Sequence, residues 1–117
     1  MDTIKTYYDE RNETYLNLIN NNDYTEEELK NAFAKSLREV RIYSGLSQKS
    51  VSEKTNIPLA TISAYENGTR TPSFILAMKI AAFFGATVND FVFYGINEEM
   101  GNYPDIFTLY DISRGNL

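Results

Sequence analysis

The chain has no cysteine and no histidine, and this removes most of the chemistry that a small protein can carry. Zinc sites built on thiolate or imidazole are excluded, as are disulfides, His-based triads and histidine general bases. The titratable clusters that remain are carboxylates. Glu26, Glu27 and Glu28 stand side by side, but adjacent residues on a helix diverge and do not converge on an ion. They suit a first helical turn instead, where Thr25 opens a Thr-x-x-Glu capping box that ends at Glu28. No glycine-rich loop of the phosphate-cradling kind is present. No metal, cofactor, small-molecule ligand or enzymatic activity is therefore expected. What is left is hydrogen bonding and charge.

The net charge of −5 argues by itself against a polyanionic partner. Its distribution argues the other way. Residues 1–31 sum to −5, residues 32–93 to +3 and residues 94–117 to −3. The middle segment sets Lys35, Arg38, Arg41, Lys49, Lys54, Arg70 and Lys79 against Glu39, Glu53, Glu66 and Asp90. A mildly basic middle between acidic flanks is a hint of a nucleic-acid surface. At 117 residues the chain is long enough for one hydrophobic core. No apolar run approaches the ~18–20 residues that span a bilayer. The first residues lack the basic start and apolar stretch of a signal peptide. A cytoplasmic protein without membrane contact is expected.

The elements that must position these side chains are all helical. Ile4, Tyr8, Arg11, Tyr15 and Leu18 fall at spacings of three and four, so a helix is predicted over 3–20, ended by the polar run 20–23. A second helix is predicted from Glu26 to Tyr43, with Leu29, Phe33, Leu37 and Val40 as its apolar stripe and Gly45 as terminator. Shorter helices follow: Gln48 to Thr55 capped by Ser47, then Pro58 to Glu66 stopped by Asn67-Gly68. Another begins at Thr71-Pro72-Ser73 and carries Phe74, Ile75, Met78, Ile80, Ala81 and Phe84 to Gly85. Thr87 and Asp90 form a capping-box-like pair for a helix from Val88 to Phe93. After Pro104, Ile106, Phe107, Leu109, Tyr110 and Ile112 suggest a short amphipathic helix. Phe33, Phe74, Phe83, Phe84 and Phe91 are assigned to the core on their helical spacing. Tyr7, Tyr8, Tyr15 and Tyr24 are assigned to packing of the first helix against the body or a second subunit.

Two of these helices form a motif. A tight turn between crossing helices needs a small residue where the axes approach, and Ser52 sits there. It also needs a residue that accepts positive φ, and Asn56 is the best choice after glycine. From Pro58 to Asn67 the inward positions are Ile62, Tyr65 and Glu66. The outward positions are Leu59, Ala60, Ser63, Ala64 and Asn67, with Thr61 on the flank.

Leu46-Ser47-Gln48, Val51-Ser52, Asn56-Ile57, Ile62, Tyr65-Glu66-Asn67-Gly68 and Pro72, in that order, resemble the phage-repressor and Cro type of helix-turn-helix, the XRE family. The likeness runs from about Leu37 to Phe93. It implies an all-α, lambda-repressor-like five-helix domain with an extra N-terminal helix and a short C-terminal appendage. The implied division is 1–24 as acidic helix and linker, 25–94 as DNA-binding domain and 95–117 as a tail with a possible dimer contact. It implies double-stranded DNA as partner, recognition helix 58–66 in the major groove, and a prokaryotic or phage repressor that works as a homodimer. By the same resemblance Gln48 and Lys49 approach the groove's rim, and Leu59, Ala60 and Ala64 take the places that read bases. Thr61 and Ser63 reach phosphate or a base, and Asn67, Thr69 and Arg70 touch the backbone. Arg41 and Glu66 match a pair that bridges the first helix to the end of the recognition helix.

The chain departs from the family pattern at two points. Pro58 stands where a capping Ser or Thr is usual. Leu59, Ala60 and Ala64 cannot make the bidentate contacts that discriminate bases best, although apolar side chains can meet thymine methyls. An alternative is a protein-interaction module on the same fold, an antitoxin-like or anti-repressor subunit. The helix over 3–20 and the tail over 104–112 are the candidate dimer contacts, with packing inside one chain as the equal alternative.

Overall fold

Four of the helices begin where a capping side chain accepts from a first-turn amide. In the computed structural model, the Glu28 amide donates to Thr25 Oγ1 at 3.1 Å, and the Ser50 amide donates to Ser47 Oγ at 3.0 Å. Ser73 Oγ takes the Leu76 amide at 3.2 Å. Thr87 and Asp90 exchange both bonds of a capping box: Thr87 N–H to Asp90 Oδ2 at 2.9 Å and Asp90 N–H to Thr87 Oγ1 at 3.1 Å. These satisfy amides that have no partner inside a helix. The structure describes residues 24–96 and 106–116, with Glu13 and Leu16 as further helical positions. Most of the predicted helix over 3–20 lies outside the described residues.

Among the described residues the helices that follow are α1 Glu26–Tyr43, α2 Gln48–Thr55, α3 Leu59–Glu66, α4 Phe74–Phe83, α5 Val88–Ile96 and α6 Ile106–Ser113. Among the described residues there is no strand. The fold is all-α, and α1 to α5 appear in the expected order. Two boundaries differ from the sequence-based ones. Pro58 is the N-cap of α3, with φ −54° and ψ 141°, so the helix begins at Leu59. Proline's fixed φ fits either position, but the extended ψ places it outside. At the other end α5 runs on to Ile96, one turn past Phe93.

One core joins all six helices. Leu37 and Val40 of α1, Val51 of α2, Ile62 of α3, Ile80 of α4, Phe91 of α5 and Ile106 of α6 are all completely buried. α1 and α5 cross closely: a Cβ at Gly95 would collide with the backbone of Ala32. The buried Ser36 hydroxyl donates to Phe91 O across the same contact. α6 packs against the body. Phe107 stacks on Tyr43 at 4.8 Å, the Tyr43 hydroxyl reaches Asp111 Oδ2 at 2.6 Å, and Arg114 Nη2 donates to Phe83 O at 2.6 Å. Most apolar side chains of the tail are thus used within the chain.

Phe33, Phe84 and Phe91 are buried, and Phe83 packs partly covered against the core. Phe74 is a correction: it is 79% exposed. It lies on the side of α4 that also carries Ile75 and Met78, 74% and 51% exposed, while the helix buries Ala77, Ile80 and Ala81. No single helix among the described residues is long and apolar enough to cross a membrane. The apolar pair α4 and α5 is bent by 81° at the break between them.

Candidate nucleic-acid interface

The turn between α2 and α3 is closed by one residue in left-handed backbone. Asn56 has φ 58° and ψ 36°, and it is the one non-glycine residue with positive φ among those described. Asparagine tolerates this region better than other side chains because its short polar group bonds locally. Ser52 does more than its size suggests. Its hydroxyl donates to Ile57 O at 2.5 Å, and its carbonyl accepts the Ile57 amide at 3.2 Å. The hydroxyl thus ties the far side of the turn back to α2. Ile57 and Ile62, both buried, fill the angle between the two helices.

α3 is held at both ends. At its start Pro58 supplies no side-chain cap, but its carbonyl accepts from the amides of Thr61 and Ile62 at 3.0 and 3.1 Å. At its end Glu66 is 4% exposed. Arg41 reaches it in a two-pronged pair: Nε donates to Oε2 at 2.6 Å and Nη2 to Oε1 at 3.0 Å. Arg41 Nη1 also donates to Leu46 O at 2.9 Å. One guanidinium therefore joins α1, the α1–α2 loop and the end of α3. Such fork-to-fork pairing fixes orientation as well as distance. Arg38, one turn earlier on α1, donates from Nη1 to the Glu66 carbonyl oxygen at 3.2 Å. Sequence reasoning missed this contact, for which the signal was the Arg38–Arg41 spacing of three on one helix face.

The outward positions of α3 are accessible. Leu59 is 46% exposed and Ala60 is exposed, while Thr61, Ser63 and Ala64 are half-buried. Lys49 and Arg70 are exposed and Gln48 is half-buried. Asn67 and Thr69 bond each other: Asn67 Oδ1 accepts the Thr69 amide at 3.0 Å and lies 2.7 Å from the Thr69 hydroxyl. These two side chains shape the loop after α3. Arg70, next in the chain, is the cation nearest that loop in sequence. The surface is thus a short rigid helix with an apolar, small-residue outer face. Polar hydroxyls flank it, and cations stand before and after it.

Comparison with known proteins agrees with this geometry. Residues 37–91 match a family model described as helix-turn-helix. The chain is also similar to an uncharacterized HTH-type transcriptional regulator of Methanocaldococcus jannaschii, at 37% identity over 62 residues. That alignment covers 53% of this chain and 94% of the relative. No solved structure gives a significant match.

Proposed function

The chain belongs to the XRE-type helix-turn-helix family, and on that premise we propose that it is a sequence-specific DNA-binding transcriptional regulator, acting as a repressor, that lays α3 in the major groove. One observation carries this: the outer face of α3 is free, while its inner face and both ends are fixed by Ile62, Pro58 and the Arg41–Glu66 pair. A recognition helix needs this arrangement, because base edges are read by side chains whose backbone does not move. In this reading Gln48 and Lys49 stand at the groove's rim. Thr61 and Ser63 donate to phosphate or base edges. Asn67, Thr69 and Arg70 follow the phosphate backbone.

Leu59, Ala60 and Ala64 set the kind of sequence read. They offer no hydrogen bond to a base edge, and their favourable major-groove contact is the thymine methyl group. Selection from random DNA is expected to return T-rich half-sites, and a G·C-rich consensus would contradict this. The regulator works as a homodimer, since one short helix covers few base pairs and two half-sites add their affinities.

The test of DNA binding itself is its salt dependence. Affinity for non-specific duplex is expected to fall linearly on a log–log plot against salt, with a slope set by the phosphates neutralised. Absence of binding at low salt would sink the reading. It would favour a protein-interaction role for the same apolar face, which the exposure of Leu59 fits.

A further inference from the structure

Arg38 is an exposed cation of α1 that has no carboxylate partner among the described residues. Acidic residues outnumber basic ones in the chain, 16 to 11, so this is not for want of acids. The Glu66 carboxylate is taken on both oxygens by Arg41. Glu39, next in the chain, is turned to Tyr94, whose hydroxyl donates to Oε1 at 3.4 Å. The neighbours three and four residues away on α1 are Ala34, Lys35, Arg41 and Ile42. Like charges at such spacings disfavour a helix, so pairing along the helix surface does not account for the cation. One guanidinium N–H of Arg38 donates to Glu66 O. A guanidinium has further N–H groups and no acceptor, so it can take an anion while keeping that bond.

We propose that Arg38 is a DNA-binding residue, which holds a backbone phosphate of the duplex at the C-terminal end of α3 and brings α1 into the interface. The inference rests on the DNA-binding reading above and adds a contact that it does not include. Position supports it first. Asn31 and Arg38, seven residues apart, lie on one face of α1. Arg38 meets Glu66 O, and a Cβ on Gly68 would come 3.1 Å from Asn31 Oδ1. α1 therefore runs beside the loop that leaves α3. Arg38 stands where that loop starts. Arg70, exposed, stands four residues past Glu66, a Cα separation of at most about 15 Å. Electrostatics supports it second. The last carbonyls of a helix carry partial negative charge. A phosphate brought to Asn67, Thr69 and Arg70 meets that end of α3 and is repelled by it. Arg38 sits on one of these carbonyls and offsets the repulsion. Its chemistry is the third support. A guanidinium fork matches phosphate oxygens, and the bond to Glu66 O fixes the side chain beforehand, so less rotamer freedom is lost on binding. A phosphate contact of this kind positions the protein and reads no base.

The test uses the full chain as wild type, Arg38→Gln and Arg38→Lys. Lys54→Gln is the control, removing an exposed charge in the last turn of α2. Binding to non-specific duplex is measured over a series of salt concentrations, with circular dichroism to establish that each variant is folded. Arg38→Gln is expected to lower the log–log salt slope by about 1, the share of one phosphate. It should weaken binding several-fold at low salt, equally on all sequences. Arg38→Lys and Lys54→Gln are expected to keep the wild-type slope. A wild-type slope in folded Arg38→Gln overturns the proposal; if binding is weaker all the same, Arg38 only braces α3. Phenylglyoxal, an arginine reagent, gives a readout on the wild-type chain that depends on no variant. Arg38 is expected to react in the free chain and to be protected by duplex, while Arg114, just past α6, reacts alike in both. Equal reactivity of Arg38 with and without bound duplex overturns the proposal and leaves the DNA-binding reading standing. A wild-type chain that binds no duplex at low salt overturns that reading, and this contact with it.

Discussion

Glu66 shows how one side chain sets the direction of a helix. A carboxylate only 4% exposed is tolerable because Arg41 meets both its oxygens. Removing the cation leaves the charge uncompensated. Arg41→Ala is expected to destabilise the fold by roughly 3–5 kcal/mol in urea unfolding. Replacing both partners by methionine should recover most of that loss, since it removes the desolvated charge along with the pair. The double variant separates stability from function: if the pair only aims α3, it folds but binds DNA more weakly. At the surface the arithmetic differs. Arg70 is exposed and, as a phosphate contact, reads no base. Arg70→Ala is expected to weaken binding about equally on all sequences and to lower the salt slope by about 1. A change confined to one base position in a selected site would contradict that role.

At the scale of elements, the helices are short, and their ends carry much of the specification. α3 has eight residues, too few to be stable alone, so the turn before it and the contacts at its ends decide whether it forms. Asn56 holds that turn at φ 58°. Asn56→Ala is expected to cost about 1–2 kcal/mol, the penalty for an ordinary side chain in left-handed backbone. Asn56→Gly should change stability by less than about 1 kcal/mol, since glycine fits the conformation but frees the unfolded chain. Most of this level was legible in the sequence. Capping hydroxyls, the left-handed asparagine and the glycine stops are local devices that act within four residues of where they stand. The misses were also local in origin. Helical spacing assigns Phe74 to the core, but in the structure it shares the exposed side of α4 with Ile75 and Met78. The extension of α5 to Ile96 had no capping residue to announce it.

At the scale of the molecule, α6 is part of the core. Ile106 is completely buried and Arg114 ties the end of α6 to Phe83 O. Ile106→Ala is expected to destabilise the whole domain by about 2–5 kcal/mol through the cavity it leaves. The loss should appear in the same single unfolding transition as α1 to α5. A separate early transition would mean that α6 folds apart from them. The placement of charge also belongs to this scale. An acidic chain can bind a polyanion if its acidic residues lie away from the binding face, and the cations flanking α3 occupy the net-positive middle of the sequence.

The sequence by itself determined the helix order, the turn chemistry and the inward and outward positions of α3, because each follows from propensities and periodicities acting over a few residues. The absence of cysteine and histidine excluded whole classes of chemistry before any fold was known. Only the tertiary structure decided which atoms hold the helices together across the chain. It placed both Arg38 and Arg41 on Glu66, the Ser52 hydroxyl on the carbonyl of Ile57, and α6 against the body. It also left Phe74, Ile75 and Met78 in water. These contacts depend on how elements cross in space, and a one-dimensional pattern marks a residue as apolar or polar without saying where its helix ends relative to the core.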